Sequence, residues 1–204
     1  MKIIPICPNA FASNCYLLVS QNEAIVVDPS VSVDAILRAA QEEGVTLVGI
    51  LLTHGHFDHV LSLDVLRESA KIPAAIHGHD AVMLTDGKKN AFYDFFGKER
   101  TYGAAEKLLS DGDRIPLGEE SITVIHTPGH TGGSVCYLGD DFLVTGDTLF
   151  SNTFGRYDLW SGNAKELKNS LAHLRTIDPS LVIYPGHGES ARLGDALDEV
   201  AYFI

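Results

Sequence analysis

His54, His56, Asp58 and His59 fall within one hexapeptide of the run Thr53-His54-Gly55-His56-Phe57-Asp58-His59. Three imidazoles and a carboxylate on so short a loop can converge on cations, and borderline-soft zinc or iron prefers that mixture of nitrogen and oxygen. A lone histidine is more often a packed core or surface residue, but four ligand-type side chains together are not explained that way. Three more occupy comparable places: His130 in Thr127-Pro128-Gly129-His130-Thr131-Gly132-Gly133, Asp147 in Thr145-Gly146-Asp147, and His187 in Tyr184-Pro185-Gly186-His187-Gly188. Each follows an apolar run and has glycine beside it, so the backbone can turn sharply and a ligand can approach. A divalent cation held by such a set would lower the pKa of bound water to roughly 7 and could polarise a carbonyl. No serine or cysteine nucleophile is needed, in keeping with the lack of a G-x-S-x-G elbow.

The elements that must carry these residues are read from hydrophobic periodicity. β-type runs at 2–7, 14–20 and 23–28 open the chain, and Asp28-Pro29-Ser30 reads as a turn. A helix is expected over 33–43, with Ile36, Leu37 and Ala40 on its buried face and Gly44 as the stop. Residues 45–53 are almost continuously apolar, the pattern of a strand buried on both faces, and they end at the histidine cluster. A helix over 60–69, a strand over 73–76 and then His77-Gly78-His79 follow. From 85 to 113 the pattern loosens. Between Phe92 and Tyr102 aromatic residues mix with charge, which suits a pocket cover, a dimer surface or an ordinary amphipathic helix. Strands return at 121–126, 134–138 and 142–145, followed by a helix over 164–174 and a strand over 181–184. A last helix is expected over 195–204, with Leu197, Val200, Ala201 and Ile204 inward. No linker divides the chain, so one domain over residues 1–204 is expected. Two strand-rich halves that each carry helices suggest an α+β, four-layer αββα sandwich.

Composition narrows the partners. A chain of 204 residues with 45% hydrophobic and 21% charged residues can bury a sizeable core. Its formal charge of −12, without any Lys/Arg run, repels a phosphate backbone and argues against nucleic acid. Cys7, Cys15 and Cys136 are too widely spaced for a metal knuckle or disulfide framework, and their apolar neighbours make them core residues. Pro5 and Pro8 interrupt the first apolar run before it reaches the length of a signal segment. No stretch approaches the ~18 apolar residues of a membrane span, so a cytoplasmic protein without membrane partners is expected.

The whole pattern, His54-x-His56-x-Asp58-His59 followed by His130, Asp147 and His187, resembles the ligand set of the metallo-β-lactamase superfamily, in the right order and over essentially the whole chain. The resemblance implies two divalent metal ions, zinc first, with iron or manganese as alternatives. His54, His56 and His130 would bind one metal, Asp58, His59 and His187 the other, and Asp147 would bridge them. A hydroxide between the metals would be the nucleophile, with Asp58 as the catalytic carboxylate that orients it. Within the superfamily, Thr145-Gly-Asp-Thr-Leu-Phe150, Gly155-Arg156-x-Asp158 and Pro185-Gly-His-Gly188 are similar to small bacterial glyoxalase II-like (hydroxyacylglutathione-hydrolase-like) proteins. Their reaction is thioester hydrolysis, in which S-D-lactoylglutathione gives D-lactate and glutathione. In this chain of 204 residues, seventeen follow His187, fewer than the helical region that supplies glutathione contacts in full-length glyoxalase II. The thiol carried by the substrate is therefore left open.

Other members of the superfamily fit less well. True β-lactamases are exported and usually lack the bridging aspartate, and quorum lactonases carry a tyrosine where Phe150 stands. Nucleases need an added module, and the flavin-linked diiron members replace the histidine at position 56 by glutamate. The alternatives are a mononuclear iron persulfide dioxygenase, which shares the Gly-Arg-x-Asp segment but typically has Pro-Ala-His in place of Pro-Gly-His187, and a lactone or other ester hydrolase. A non-enzymatic, metal-stabilised scaffold is the remaining reading. Arg156 and Tyr157 are expected to border the metals and contact substrate, an ion pair to Asp158 being the plainer role for Arg156. His77 and His79 are candidates for a supporting shell, His126 for a strand-end residue, and His173 for a helix-surface residue. The expected partner is a small-molecule thioester or ester, and the expected state a monomer or homodimer.

Overall fold

The computed structural model describes residues 1–6 and 12–204, and among these residues twelve strands form two six-stranded sheets. Cys7, and with it the end of the first expected strand, lies outside the described residues. In the first sheet the spatial order is β1 (Lys2–Ile6), β2 (Cys15–Ser20), β3 (Glu23–Val27), β4 (Thr46–Leu51), β5 (Ala74–His77) and β6 (Lys107–Leu109). β1 to β3 pair antiparallel, whereas β3 to β6 pair parallel. Parallel neighbours need crossovers, and these are α1 (Val33–Glu43), α2 (Leu63–Ala70), and the pair α3 (Ala81–Thr85) and α4 (Phe92–Phe96). The second sheet runs β7 (Arg114–Leu117), β8 (Glu120–His126), β9 (Val135–Leu138), β10 (Phe142–Gly146), β11 (Val182–Pro185) and β12 (Ala191–Arg192). Only β10 and β11 are parallel there, joined through α5 (Ala164–Leu174), and α6 (Leu193–Glu199) closes the described elements.

Strand periodicity explains the layers. In β2, Leu17 and Val19 face a helix-covered core, while Tyr16 and Leu18 face the space between the sheets. In β10, Phe142 and Val144 enter that same middle layer and Leu143 enters a third core with Leu167, Leu171 and Leu197 of the helices. Both faces of these strands are buried, which is why they read as unbroken apolar runs. Three apolar layers between four layers of secondary structure make the αββα sandwich.

Several boundaries differ from expectation. Leu37 is 39% exposed, because the buried stripe of α1 runs through Ile36 and Ala40, and one residue on from Ile36 turns about 100° away. The expected strand over 45–53 is shorter, and only its carboxyl end is buried on both faces. The expected helix over 60–69 is preceded by a short 3-10 turn at Phe57–His59 and runs over Leu63–Ala70, since the ligand loop must first turn back on itself. The loosened region holds α3, α4 and β6, the last helix ends at Glu199, and Ala201 faces solvent. Cys15 and Cys136 are fully buried, and burial pushes the Cys136 thiol up to about 11, which suits a core residue. Among the described residues no helix is long and apolar enough to cross a membrane.

The two sheets are tied where their strands end. The Tyr137 hydroxyl, fully buried, donates to the Leu52 carbonyl at 2.6 Å, and Val135 N–H donates to the Thr53 carbonyl at 2.9 Å. On the other flank the Tyr16 hydroxyl donates to Pro185 and Asn14 N–H to Gly186, each at 2.6 Å. Tyr137→Phe leaves a buried carbonyl without its partner, at a cost of about 1–3 kcal/mol. For a chain of this size, the thermal midpoint is expected to fall by roughly 2–4 °C per kcal/mol. An unchanged midpoint in a calorimetric scan would show that the sheet junction does not rely on this bond.

Candidate metal centre

The seven ligand-type residues all lie just past carboxyl ends of strands. His54, His56, Asp58 and His59 follow β4, His130 follows β8, Asp147 follows β10 and His187 follows β11. Parallel pairing puts the ends of β3 and β4 side by side, and likewise those of β10 and β11, so the loops of both sheets meet at one edge of the sandwich. His130 Nε2 lies 3.2 Å from His54 Nε2 and 2.9 Å from His56 Nδ1. Two nitrogens bound tetrahedrally to zinc at roughly 2.0–2.1 Å stand about 3.3 Å apart, so this trio has the spacing of one coordination sphere. Asp58 Oδ2 is 3.2 Å from His187 Nε2 and 3.9 Å from His59 Nε2, which makes a second trio. Asp147 sits between them: Oδ1 is 3.3 Å from His59 Nε2, and Oδ2 is 3.6 Å from both His130 Nε2 and His187 Nε2. Each of three sets, His54/His56/His130, Asp58/His59/His187 and His54/His59/Asp147, holds its ligand atoms within 4.8 Å of one another.

Hydrogen bonds behind the rings decide which nitrogen is free. His59 Nδ1 lies 2.8 Å from Asp28 Oδ2, and an ionised carboxylate only accepts, so the ring donates there and turns its Nε2 toward Asp147. The Thr53 hydroxyl donates to the same Asp28 oxygen at 2.6 Å, so it accepts from His54 Nδ1 at 3.1 Å and leaves His54 Nε2 bare. His130 Nδ1 donates to the Arg156 carbonyl at 2.6 Å, which frees its Nε2. These partners fix tautomer and ring orientation in the way that supporting carboxylates and carbonyls do around bound metals.

Electrostatics supports the same reading. Burial, then the rings of His59 and His130, push His54 well below the usual imidazole range, and burial and His130 push His56 down to about 3. Burial also opposes charge on His59, but Asp147, Asp28 and Asp58 outweigh it and raise its pKa well above the ordinary value. Against the same burial, His59 and neighbouring histidines hold the Asp147 and Asp58 carboxyls below the usual carboxylate range. Two buried atoms of the cluster, His59 Nε2 and Asp147 Oδ1, face one another at 3.3 Å without a hydrogen-bond partner. Buried lone pairs in such a group are costly unless a cation takes them up, so the donor set fits divalent metal.

The sequence pattern of the Metallo-beta-lactamase superfamily matches residues 8–187. The chain belongs to this superfamily. A probable metallo-hydrolase of Bacillus subtilis, YqgX, is 34% identical over 86% of the chain and 85% of its own length. The Bacillus velezensis protein BaeB, a probable polyketide biosynthesis zinc-dependent hydrolase, is 32% identical over 93% of the chain and 79% of its own length. Among solved structures, the BLEG-1 B3 metallo-beta-lactamase superposes with a TM-score of 0.91 at 30% identity, over 99% of both chains. TTHA1623 in a di-iron-bound form superposes with a TM-score of 0.83 at 29% identity, over 94% of this chain and 96% of its own. ETHE1 from Myxococcus xanthus gives 0.81 at 27% identity, over 96% and 81%. The metallo-beta-lactamase fold and a metallo-hydrolase kinship follow from these matches.

Beside the centre lies a cavity of about 700 Å³ lined by His56, Asp58, His130, Asp147 and His187 together with the apolar side chains of Phe57, Phe95, Phe96, Phe150 and Leu159. Arg156 lines this cavity and also pairs with Asp158 through two bonds of 2.7 and 2.8 Å. Tyr157 does not line the cavity. Its ring stacks on Phe154 and Phe203, because the loop turns that side chain toward the C-terminal segment. Of the segment from Phe92 to Tyr102, Phe95 and Phe96 line the cavity while Tyr102 is buried in the helix-covered core. His173 is exposed on α5, as expected, and His77, His79 and His126 gather apart from the seven.

Two carboxylates behind the site went unread in the sequence. Asp28, within an Asp-Pro-Ser turn signal, sits at the end of β3, a strand end like those that carry the seven clustered residues. Asp80 follows β5 by three residues. Its Oδ2 accepts from Gly55 N–H at 3.1 Å and from the Thr131 hydroxyl at 2.7 Å, and its Oδ1 accepts from Gly133 N–H at 2.8 Å. It therefore straps the loop of His54 and His56 to the loop of His130. Gly186 is needed for space, since a Cβ there would run into Asp147 Oδ1 and lie 2.6 Å from His59 Cε1.

Asp28→Asn turns one acceptor into a donor facing Thr53 or His59. Metal affinity is expected to fall by about 10–100-fold while the circular dichroism spectrum stays native. Gly186→Ala is expected to lower bound metal per chain by displacing Asp147 or His59. Full metal content in both variants after dialysis would contradict this account of how the ligands are aimed.

Proposed function

We propose that this chain is a dinuclear metal-dependent hydrolase of thioesters, glyoxalase II-like in its chemistry, with zinc as the first choice of metal. The observation that carries the reading is Asp147, whose two oxygens face different neighbours, Oδ1 toward His59 and Oδ2 toward His130 and His187. His54, His56 and His130 would hold one cation, Asp58, His59 and His187 the other, and Asp147 both. Divalent cations bound there supply Lewis acidity and water that ionises near neutral pH. The zinc-dependent description of BaeB supports zinc, and the di-iron form of TTHA1623 supports a paired site and keeps iron as the alternative.

The chain's own residues do the rest. Asp58, kept ionised by His59 and His187, is placed to accept a hydrogen bond from the attacking water and aim it at the acyl carbon. Phe57, Phe95, Phe96, Phe150 and Leu159 exclude bulk water and receive the apolar part of the substrate. Arg156, on the cavity wall, gives an anionic end of the substrate a partner in competition with Asp158. In the reaction the C–S bond breaks, a C–O bond forms, and the sulfur leaves as a thiol. A thiol ionises near pH 8.5, so it departs more readily than an alcohol.

A mononuclear iron dioxygenase acting on a persulfide is the second reading, favoured by the superposition on ETHE1 and by His54, His59 and Asp147, a two-histidine, one-carboxylate set within 4.8 Å. The convergence of Asp58, His59 and His187 on a further cation position weighs against it. Protein of measured metal content should cleave S-D-lactoylglutathione or another acyl thioester faster than a lactone or a β-lactam. Asp58→Ala is expected to lower kcat by about 10²–10⁴-fold, the range of an acid–base group. Chelation should abolish turnover and lower the thermal midpoint, with both restored by added zinc. Oxygen uptake with glutathione persulfide and no thioester cleavage would sink the hydrolase reading.

A further inference from the structure

We propose that His77, His79 and His126 form an additional cation site, separate from the paired centre, that takes a borderline divalent metal such as zinc through three imidazole nitrogens. His77 ends β5 in the first sheet and His126 ends β8 in the second, so the same meeting of strand ends that builds the paired centre brings these rings together. One ring nitrogen of each lies within 4.8 Å of the other two. The His77 and His126 rings are stacked at 4.1 Å, and the His79 ring stands nearly perpendicular to that of His77, 5.0 Å away.

The hydrogen bonds point to ligation. His79 Nδ1 lies 3.2 Å and His126 Nε2 3.0 Å from the same Gly132 carbonyl oxygen. A carbonyl accepts and never donates, so a proton on His79 Nδ1 and another on His126 Nε2 anchor both rings to this one oxygen. An imidazole whose N–H is donated to a backbone carbonyl is the usual partner arrangement of a metal ligand. The contact from His79 N–H to His77 Nδ1 is 3.4 Å, at the edge of hydrogen-bond reach, so His77 gives up little by ligating. Asp111, which accepts from the His126 backbone N–H at 2.8 Å, adds negative charge beside the cluster. His79 is exposed, which leaves a path for a cation and room for water to complete its coordination. Three nitrogens without a carboxylate select zinc, copper or nickel over magnesium or calcium.

An occupant would also reach the paired centre indirectly. Gly132 lies two residues beyond His130, and its N–H donates to Ser161 Oγ at 2.9 Å while the next N–H, that of Gly133, donates to Asp80. Fixing the two rings on the Gly132 carbonyl would hold the loop that aims His130.

The test is the zinc content of the full chain after equilibrium dialysis against micromolar zinc, read by mass spectrometry of the metal. His79→Gln keeps a donor for the Gly132 carbonyl and removes the imidazole, and His126→Gln tests the second sheet's contribution. Wild type is expected to hold one zinc per chain more than either variant, and that increment should persist in an Asp147→Ala background that weakens the paired centre. Added zinc should raise the thermal midpoint of Asp147→Ala protein further than that of the Asp147→Ala, His79→Gln double variant. Equal zinc in wild type and both glutamine variants would overturn the proposal. An increment that disappears with Asp147→Ala would also overturn it, because the extra zinc would then belong to the paired centre.

Discussion

A histidine can ligate a metal only through the nitrogen that carries no proton, so the centre depends on contacts made on the far side of each ring. Asp28 is the hinge of that arrangement. Its Oδ2 takes the proton of His59 Nδ1 and that of the Thr53 hydroxyl, and the hydroxyl, having spent its proton, can only accept from His54. Its Oδ1 accepts from Thr53 N–H at 2.8 Å, which fixes the backbone at the start of the ligand loop. One buried carboxylate thus orients two rings and one loop. Asp28 itself adopts φ +50, a left-handed conformation that aspartate tolerates better than most residues, and the bonds it makes offset that strain.

The rest of the sandwich serves to bring such loops from two sheets to one edge. Tyr137 and Val135 hold the end of β4 to the second sheet, Tyr16 and Asn14 hold the end of β11 to the first, and Asp80 straps the loops directly. Close approach is possible because glycine stands where a side chain would collide. A Cβ on Gly133 would meet Asp80 at 2.6 Å, and one on Gly55 would meet Met83 at 2.5 Å. Well-packed apolar layers beneath the edge keep these distances from relaxing, so metal affinity and stability are properties of one structure.

Chemistry and selectivity are carried by different materials. His54, His56, His59 and His130 are buried on loops that follow strands, whereas Phe95 and Phe96 project from a five-residue helix and are each 57% exposed. That contrast is general: loops on a rigid scaffold vary without disturbing the reaction beneath them. Apolar side chains and a single partly engaged arginine thus share one cavity with the clustered imidazoles and carboxylates.

The clustering of the seven histidines and aspartates was legible because each requirement is local. Four of them are crowded into one hexapeptide, and His130, Asp147 and His187 each follow an apolar run beside glycine. The four-layer architecture was legible too, since strands such as β10, buried on both faces, leave an unbroken apolar signature. What only the tertiary structure decided is how the polar groups pair. Asp28 is 25 residues from Thr53, Asp80 is 53 from Gly133, and His77 is far from His126 along the chain, yet each pair meets in space. Tyr157 was misplaced for the same reason, because its stacking on Phe203 depends on where the C-terminal segment docks. Periodicity records which face of an element is buried, an average over many neighbours. A hydrogen bond is set by single atoms at about 3 Å, and that precision exists only once both sheets are in place.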